Sequence, residues 1–247
     1  MLARSDDEPQ FEEAVKRCQD DPDVLRPWLN HPQLGEAAAV FRGMGLIAAG
    51  ELREALDCFE RVLMYQPIAE SAGFFQRHLY AVPFFVDGLD ANVPVDRTAA
   101  ALFASWIHGR NGDVAEAMSA LEGAEATDPV IVMRSSYAVM FNRYREVLDI
   151  TRSLPARAAN PLQAYALIDR GCAIAELGEP ADGLAVLDGA ADAAADAPFV
   201  LDRLNFERGR ICAAAGQVSS ARHHFLAVRE SNPDYPGLTQ ALDSLPG

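Results

Sequence analysis

The chain has 247 residues, half of them hydrophobic, with 36 acidic against 21 basic residues and a formal net charge of −15. That balance argues against a nucleic-acid partner, because affinity for the phosphate backbone comes from counterions released around Lys and Arg; basic or neutral ligands fit better. No apolar run reaches the ~18 residues that a membrane span needs, which argues against membrane insertion. Met1–Gln10 lacks the basic and then apolar order of a secretory signal. The four cysteines, Cys18, Cys58, Cys172 and Cys212, are scattered without a C-x-x-C spacing. They read as small apolar core residues of a reducing compartment, so the expected location is cytoplasmic.

In chain order, residues 1–8 are expected to be a flexible N-terminus and residues 9–35 a helical N-terminal cap. From Glu36 to Ala69 the pattern sharpens. Gly43 and Gly50 stand seven residues apart and are followed by Ala55, Phe59 and Pro67. The spacing predicts two antiparallel helices. Gly43 lets them approach, Gly50 ends the first in a left-handed cap, Ala55 sits at the crossing, Phe59 fills the layer below and Pro67 stops the second helix. Residues 70–97 fit this frame poorly, since Pro83 and Asn92-Val93-Pro94 break them into short pieces, and they read as an irregular repeat.

The frame returns at 98–131, with Gly112, Ala117, Leu121 and Pro129 in place but Ser105 where the first glycine is expected. At 128–161 only the helical pattern survives, as Val130–Phe141 and Arg145–Leu154, with Val147 in the small-residue position. At 164–197, Gly171 and Gly178 are present and Gly183 replaces the alanine. At 202–235, Gly209, Gly216, Ala221, Phe225 and Pro233 all recur. Residues 236–247 are expected to form a C-terminal capping helix. A frame of about 34 residues with these residue types is that of the tetratricopeptide repeat, TPR. The expected fold is therefore all-α, a right-handed TPR superhelix of about six helix pairs over residues 36–235.

Catalytic motifs are absent: there is no G-x-x-x-x-G-K-[ST], G-x-S-x-G or H-E-x-x-H. Gly43-Met44-Gly45 lies inside a helix with no strand before it, which excludes a dinucleotide turn. His31, His78 and His108 are isolated in sequence, with no Asp or Cys at ligand spacing, and adjacent His223 and His224 point about 100° apart on a helix. The chain thus reads as a non-enzyme with no metal and no cofactor. Acids dominate residues 161–200, where Arg170 is the sole base, and arginines dominate residues 203–229, where Glu207 is the sole acid.

Function must then lie on surfaces. In TPR superhelices the first helix of each pair lines the concave face. Projecting the frame places Val40, Met44, Ile47, Leu102, Trp106, Val132, Ser136, Val139, Tyr165, Ile168, Cys172, Arg203, Phe206 and Arg210 there, an apolar trough with arginines near one end. Such a trough suits an amphipathic helical ligand. Packing between neighbouring first helices is the competing role, for Leu102 and Ile168 above all, and Trp106 is the strongest single candidate for partner contact.

The stretches VPVDRTAAALFASWIHGRNGDVAEAMSAL (93–121), YAVMFNRYREVL (137–148) and RGRICAAAGQVSSARHHFLAVRESNPDYPGLTQALDSL (208–245) resemble the N-terminal TPR domain of the EccA ATPases of type VII (ESX) secretion in actinobacteria. The resemblance covers roughly residues 50–245. It implies a protein-binding domain that recognises secreted helical-hairpin substrates, their chaperones or a peptide, with an AAA+ ATPase module as a further partner. No Walker motif is present, so ATP hydrolysis does not carry over. The alternative reading is a regulatory TPR sensor that binds a signalling peptide or small molecule.

Overall fold

The computed structural model describes residues 7–64, 74, 75, 77, 78 and 80–246. Two compact units divide the chain, Met1–Glu125 and Ala126–Gly247. Pro67 and most of the stretch 65–79 lie outside the described residues.

The first unit opens with helix α1 (Glu8–Arg17) and a 3-10 helix, Pro22–Trp28. The pair α2 (Gly35–Ala48) and α3 (Leu52–Met64) follows. Phe11 and Leu25 are fully buried and join Ala37, Val40, Ala55 and Phe59 in one core. Phe11 packs edge-on against Phe74, with ring centroids 5.0 Å apart. A second pair, α4 (Arg97–Asn111) and α5 (Val114–Ala120), closes the unit. Asp96 caps α4 by accepting hydrogen bonds from the amides of Thr98 (2.7 Å) and Ala99 (3.1 Å), which would otherwise lack helical partners. Arg97 reaches back to donate to the carbonyl oxygens of Val62 and, at 2.7 Å, Leu63 at the end of α3. The second pair is thereby tied to the open end of the first.

Between the two pairs the expected irregular repeat is instead an antiparallel hairpin, β1 (Ala81–Val86) and β2 (Leu89–Pro94). Its cause is a period of two: Phe84, Val86, Leu89, Ala91 and Val93 are buried on one face, while Phe85 on the other is 64% exposed. Asp87-Gly88 makes the two-residue turn with positive φ at both residues (48° and 85°), the combination a tight hairpin needs. Phe84 meets Phe103 of α4 edge-on at 5.1 Å, which fixes the hairpin to the unit.

The second unit contains α6 (Asp128–Met140), α7 (Tyr144–Ile150), α8 (Pro161–Glu176), α9 (Pro180–Asp188) and the short α10 (Ala191–Ala194). It ends with α11 (Pro198–Ala214), α12 (Val218–Ser231) and α13 (Leu238–Asp243). Leu238 packs into the cluster of Cys212, Ala221, Phe225 and Val228, so α13 covers the apolar face of the α11/α12 pair.

In three pairs the glycine positions of the sequence frame are realised physically. A Cβ on Gly43 would lie 2.6 Å from the Phe59 ring, and one on Gly209 would lie 2.5 Å from the Phe225 ring. In the α8/α9 pair a Cβ on Gly183 would lie 2.6 Å from the Gly171 carbonyl oxygen, so these helices touch backbone to backbone. That explains glycine where the frame expects alanine. Asn142, with φ of 56°, takes the left-handed turn position that glycine holds elsewhere.

Gly209→Val is expected to destabilise the chain by about 1–3 kcal/mol through overpacking against Phe225. Urea denaturation followed by circular dichroism measures this, and an unchanged midpoint would show that the ring has room to move.

Candidate functional site

The first helices α2 and α4 of unit one, and α6, α8 and α11 of unit two, carry all of the projected trough residues. The structure splits that set by exposure. Val40, Leu102, Val132 and Ile168 have no exposed surface, and Cys172 is 5% exposed. These five pack inside their units and offer nothing to a partner. In unit two the reason is that neighbouring first helices touch directly, α6 against α8 and α8 against α11, and bury the positions between them. Burial pushes the Cys172 thiol well above its ordinary pKa, as suits a core residue.

The remaining projected residues keep solvent access. Met44, Ile47 and Trp106 are half-buried against the unit-one core. The Arg110 guanidinium lies 5.7 Å from the centre of the Trp106 ring, a cation–π distance. In unit two, Ser136, Val139, Tyr165, Arg203 and Phe206 are half-buried and Arg210 is exposed.

The electrostatics of this second surface rest on a chain of contacts between successive first helices. Asp169 on α8 is fully buried. It accepts a hydrogen bond at 2.6 Å from Ser135 Oγ on α6 and another at 2.5 Å from Arg203 on α11, each 34 residues away in sequence. Arg203 also lies 3.9 Å over the Tyr165 ring. Burial works against its charge, but the nearby Asp169 carboxylate, Tyr165 and the hydrogen bond outweigh this and hold its pKa above the ordinary arginine value. Arg210 repeats the pattern, donating to Glu176 at 2.7 Å, again 34 residues away, and to Glu207 at 2.8 Å. Both arginines are thus paired with carboxylates within the fold. Phe206 lies beside Tyr235, with centroids 4.8 Å apart, and extends the aromatic surface.

Sequence spacing missed the histidine partners, because they come from distant segments. His108 Nε2 lies 3.0 Å from Glu60, His31 Nε2 3.3 Å from Asp7, and His78 Nε2 2.7 Å from Glu8. A cleft of about 670 Å³ in unit one lies away from the projected trough, between α3, α4 and α5, with Glu60, Leu63, Met64, His108 and Glu116 among its walls. Among the described residues no helix is long and apolar enough to cross a membrane.

Helix pairs with glycine at the crossing, a left-handed residue at the turn and a small residue in the second helix define a TPR protein. The particular family follows from sequence: residues 69–245 match the family of the type VII secretion (T7SS), ESX-1 secretion system protein EccA1, N-terminal domain, and the chain belongs to it. The crystal structure of the N-terminal domain of the EccA1 ATPase from the ESX-1 secretion system of Mycobacterium tuberculosis is similar over 95% of this chain and 87% of that one, with a TM-score of 0.58 and 19% identity. YrrB, described as a TPR protein with an unusual peptide-binding site, is similar over 90% of this chain and 99% of its own, with a TM-score of 0.59 and 12% identity. At such identities the likeness carries the fold. Comparison with curated proteins found no match.

Asp169→Ala leaves Arg203 mostly buried without its carboxylate, and is expected to lower stability by about 3–5 kcal/mol. Replacing both Asp169 and Arg203 with leucine should lose much less, and thermal denaturation of the two variants distinguishes them.

Proposed function

We propose that this chain is a non-catalytic docking domain of type VII secretion that recognises a helical segment of a secreted helical-hairpin protein or of its chaperone, in the cytoplasm. One observation carries the reading: the second unit leaves Ser136, Val139, Tyr165 and Phe206 partly accessible around the fixed Arg203–Asp169 pair. An apolar strip with paired arginines on its border suits an amphipathic helix, whose apolar residues recur at three- and four-residue intervals. Trp106, with Met44 and Ile47, supplies a second apolar surface in the first unit. The family assignment supplies the secretion context, and the ATPase of that system is the natural further partner.

Micromolar affinity, about −8 kcal/mol, suits a carrier that must release its cargo. Fluorescence anisotropy with a labelled helical-hairpin substrate of the secretion system tests the reading. Trp106→Ala and Tyr165→Ala should each weaken binding by about 2 kcal/mol if they are central contacts. Circular dichroism must show that helicity is retained. Because attraction between surface charges is screened by salt and apolar contact is not, binding should persist at raised salt. Binding that is unchanged per folded molecule in both variants would remove these surfaces from the interaction. Capture of a small-molecule effector alone would favour a regulatory sensor.

A further inference from the structure

We propose that Glu8, Glu12 and His78 form a binding site for a divalent transition-metal ion, Zn²⁺ by the chemistry of its donors, that joins α1 to the segment before the hairpin. One ligand atom from each residue falls within 4.8 Å of the others. Glu8 and Glu12 lie four residues apart on α1, so their carboxylates share a face. His78 Nε2 approaches both, at 2.7 Å from Glu8 Oε1 and 3.4 Å from Glu12 Oε1. An imidazole nitrogen carries at most one proton and can donate it well to one oxygen only. A metal ion at that point would engage all three donors.

The distances fit. Zn²⁺ holds nitrogen and carboxylate oxygen at about 2.0–2.2 Å, which sets neighbouring tetrahedral ligands about 3.3–3.5 Å apart. The His78–Glu12 separation is already there, and the His78–Glu8 contact must open by well under 1 Å. Arg77 donates to the other Glu8 oxygen, Oε2, at 2.9 Å, and its Nε lies 3.2 Å from Oε1. When Oε1 takes the metal, the Oε2 contact remains as the outer partner that orients the ligating carboxylate. The Arg77 guanidinium on Oε2 also favours the ionised Glu8 carboxylate that a metal needs. Two carboxylates balance the charge of the dication. Glu8 forms the closed inner side with no exposed surface, whereas Glu12 and His78 have side chains 25% and 20% exposed, which leaves a way in for the ion and for a water as fourth ligand.

Titration of the chelator-stripped full chain with Zn²⁺, in competition with a chromophoric chelator, tests this. The expected result is saturable binding that raises the melting temperature. Glu12→Gln keeps the Arg77–Glu8–His78 contacts but removes one ligand, so it should weaken binding by at least about tenfold and abolish the thermal shift. His78→Ala should do the same. Binding at the buried cysteines or at His223 and His224 would be indifferent to Glu12→Gln. Unchanged affinity in a folded Glu12→Gln variant, or no saturable binding at micromolar Zn²⁺, would overturn the site and leave the cluster as an ion-pair joint.

Discussion

A side chain on residue 43 or residue 209 would collide with a phenylalanine ring, and the pairing of helices in this protein depends on its absence. Where the first helix offers glycine, the second answers with a large group: Phe59 against Gly43, Phe225 against Gly209, Leu187 against Gly171. In two other pairs the first helix carries a buried serine instead, Ser105 and Ser135, and the corresponding residues of the second half, Leu121 and Thr151, are buried as well.

Those crossings made the fold readable. Gly43, Gly50, Ala55 and Phe59 are local in sequence, and each has one mechanical task, so their spacing carries the geometry with it. The hairpin was missed for a related reason. Its signals, Asp87-Gly88 and the alternation through Phe84, Val86, Leu89, Ala91 and Val93, are equally local, but in a helical frame Pro83 reads only as a breaker. In a strand of a two-stranded ribbon, Pro83 needs only an edge position that requires no ladder donor.

The surface was less legible, because exposure is decided by neighbours that the frame does not specify. Val40, Leu102, Val132 and Ile168 occupy positions of the right periodicity but are covered by adjacent helices. Tyr165, Phe206 and Trp106 are covered only in part and keep an accessible edge. The charged partners were invisible for another reason. Glu8 and His78 are 70 residues apart, and nothing along the chain announces their meeting. By contrast, the 34-residue steps from Ser135 to Asp169 and from Asp169 to Arg203 equal the repeat length, and a search for complementary polar residues at that interval would have found them.

Those two steps bear on how the second unit comes apart. In an ideal repeat array each module feels only its neighbours, so the ends can fray while the middle persists. Here one buried carboxylate is shared by three successive first helices, and loosening either outer helix strips Asp169 of a donor. The free energy of opening is therefore concentrated rather than spread along the array. Such sharing couples the three pairs, so amide exchange in α6, α8 and α11 is expected to follow a common opening event. A ligand bound across only part of that surface would steady all of it.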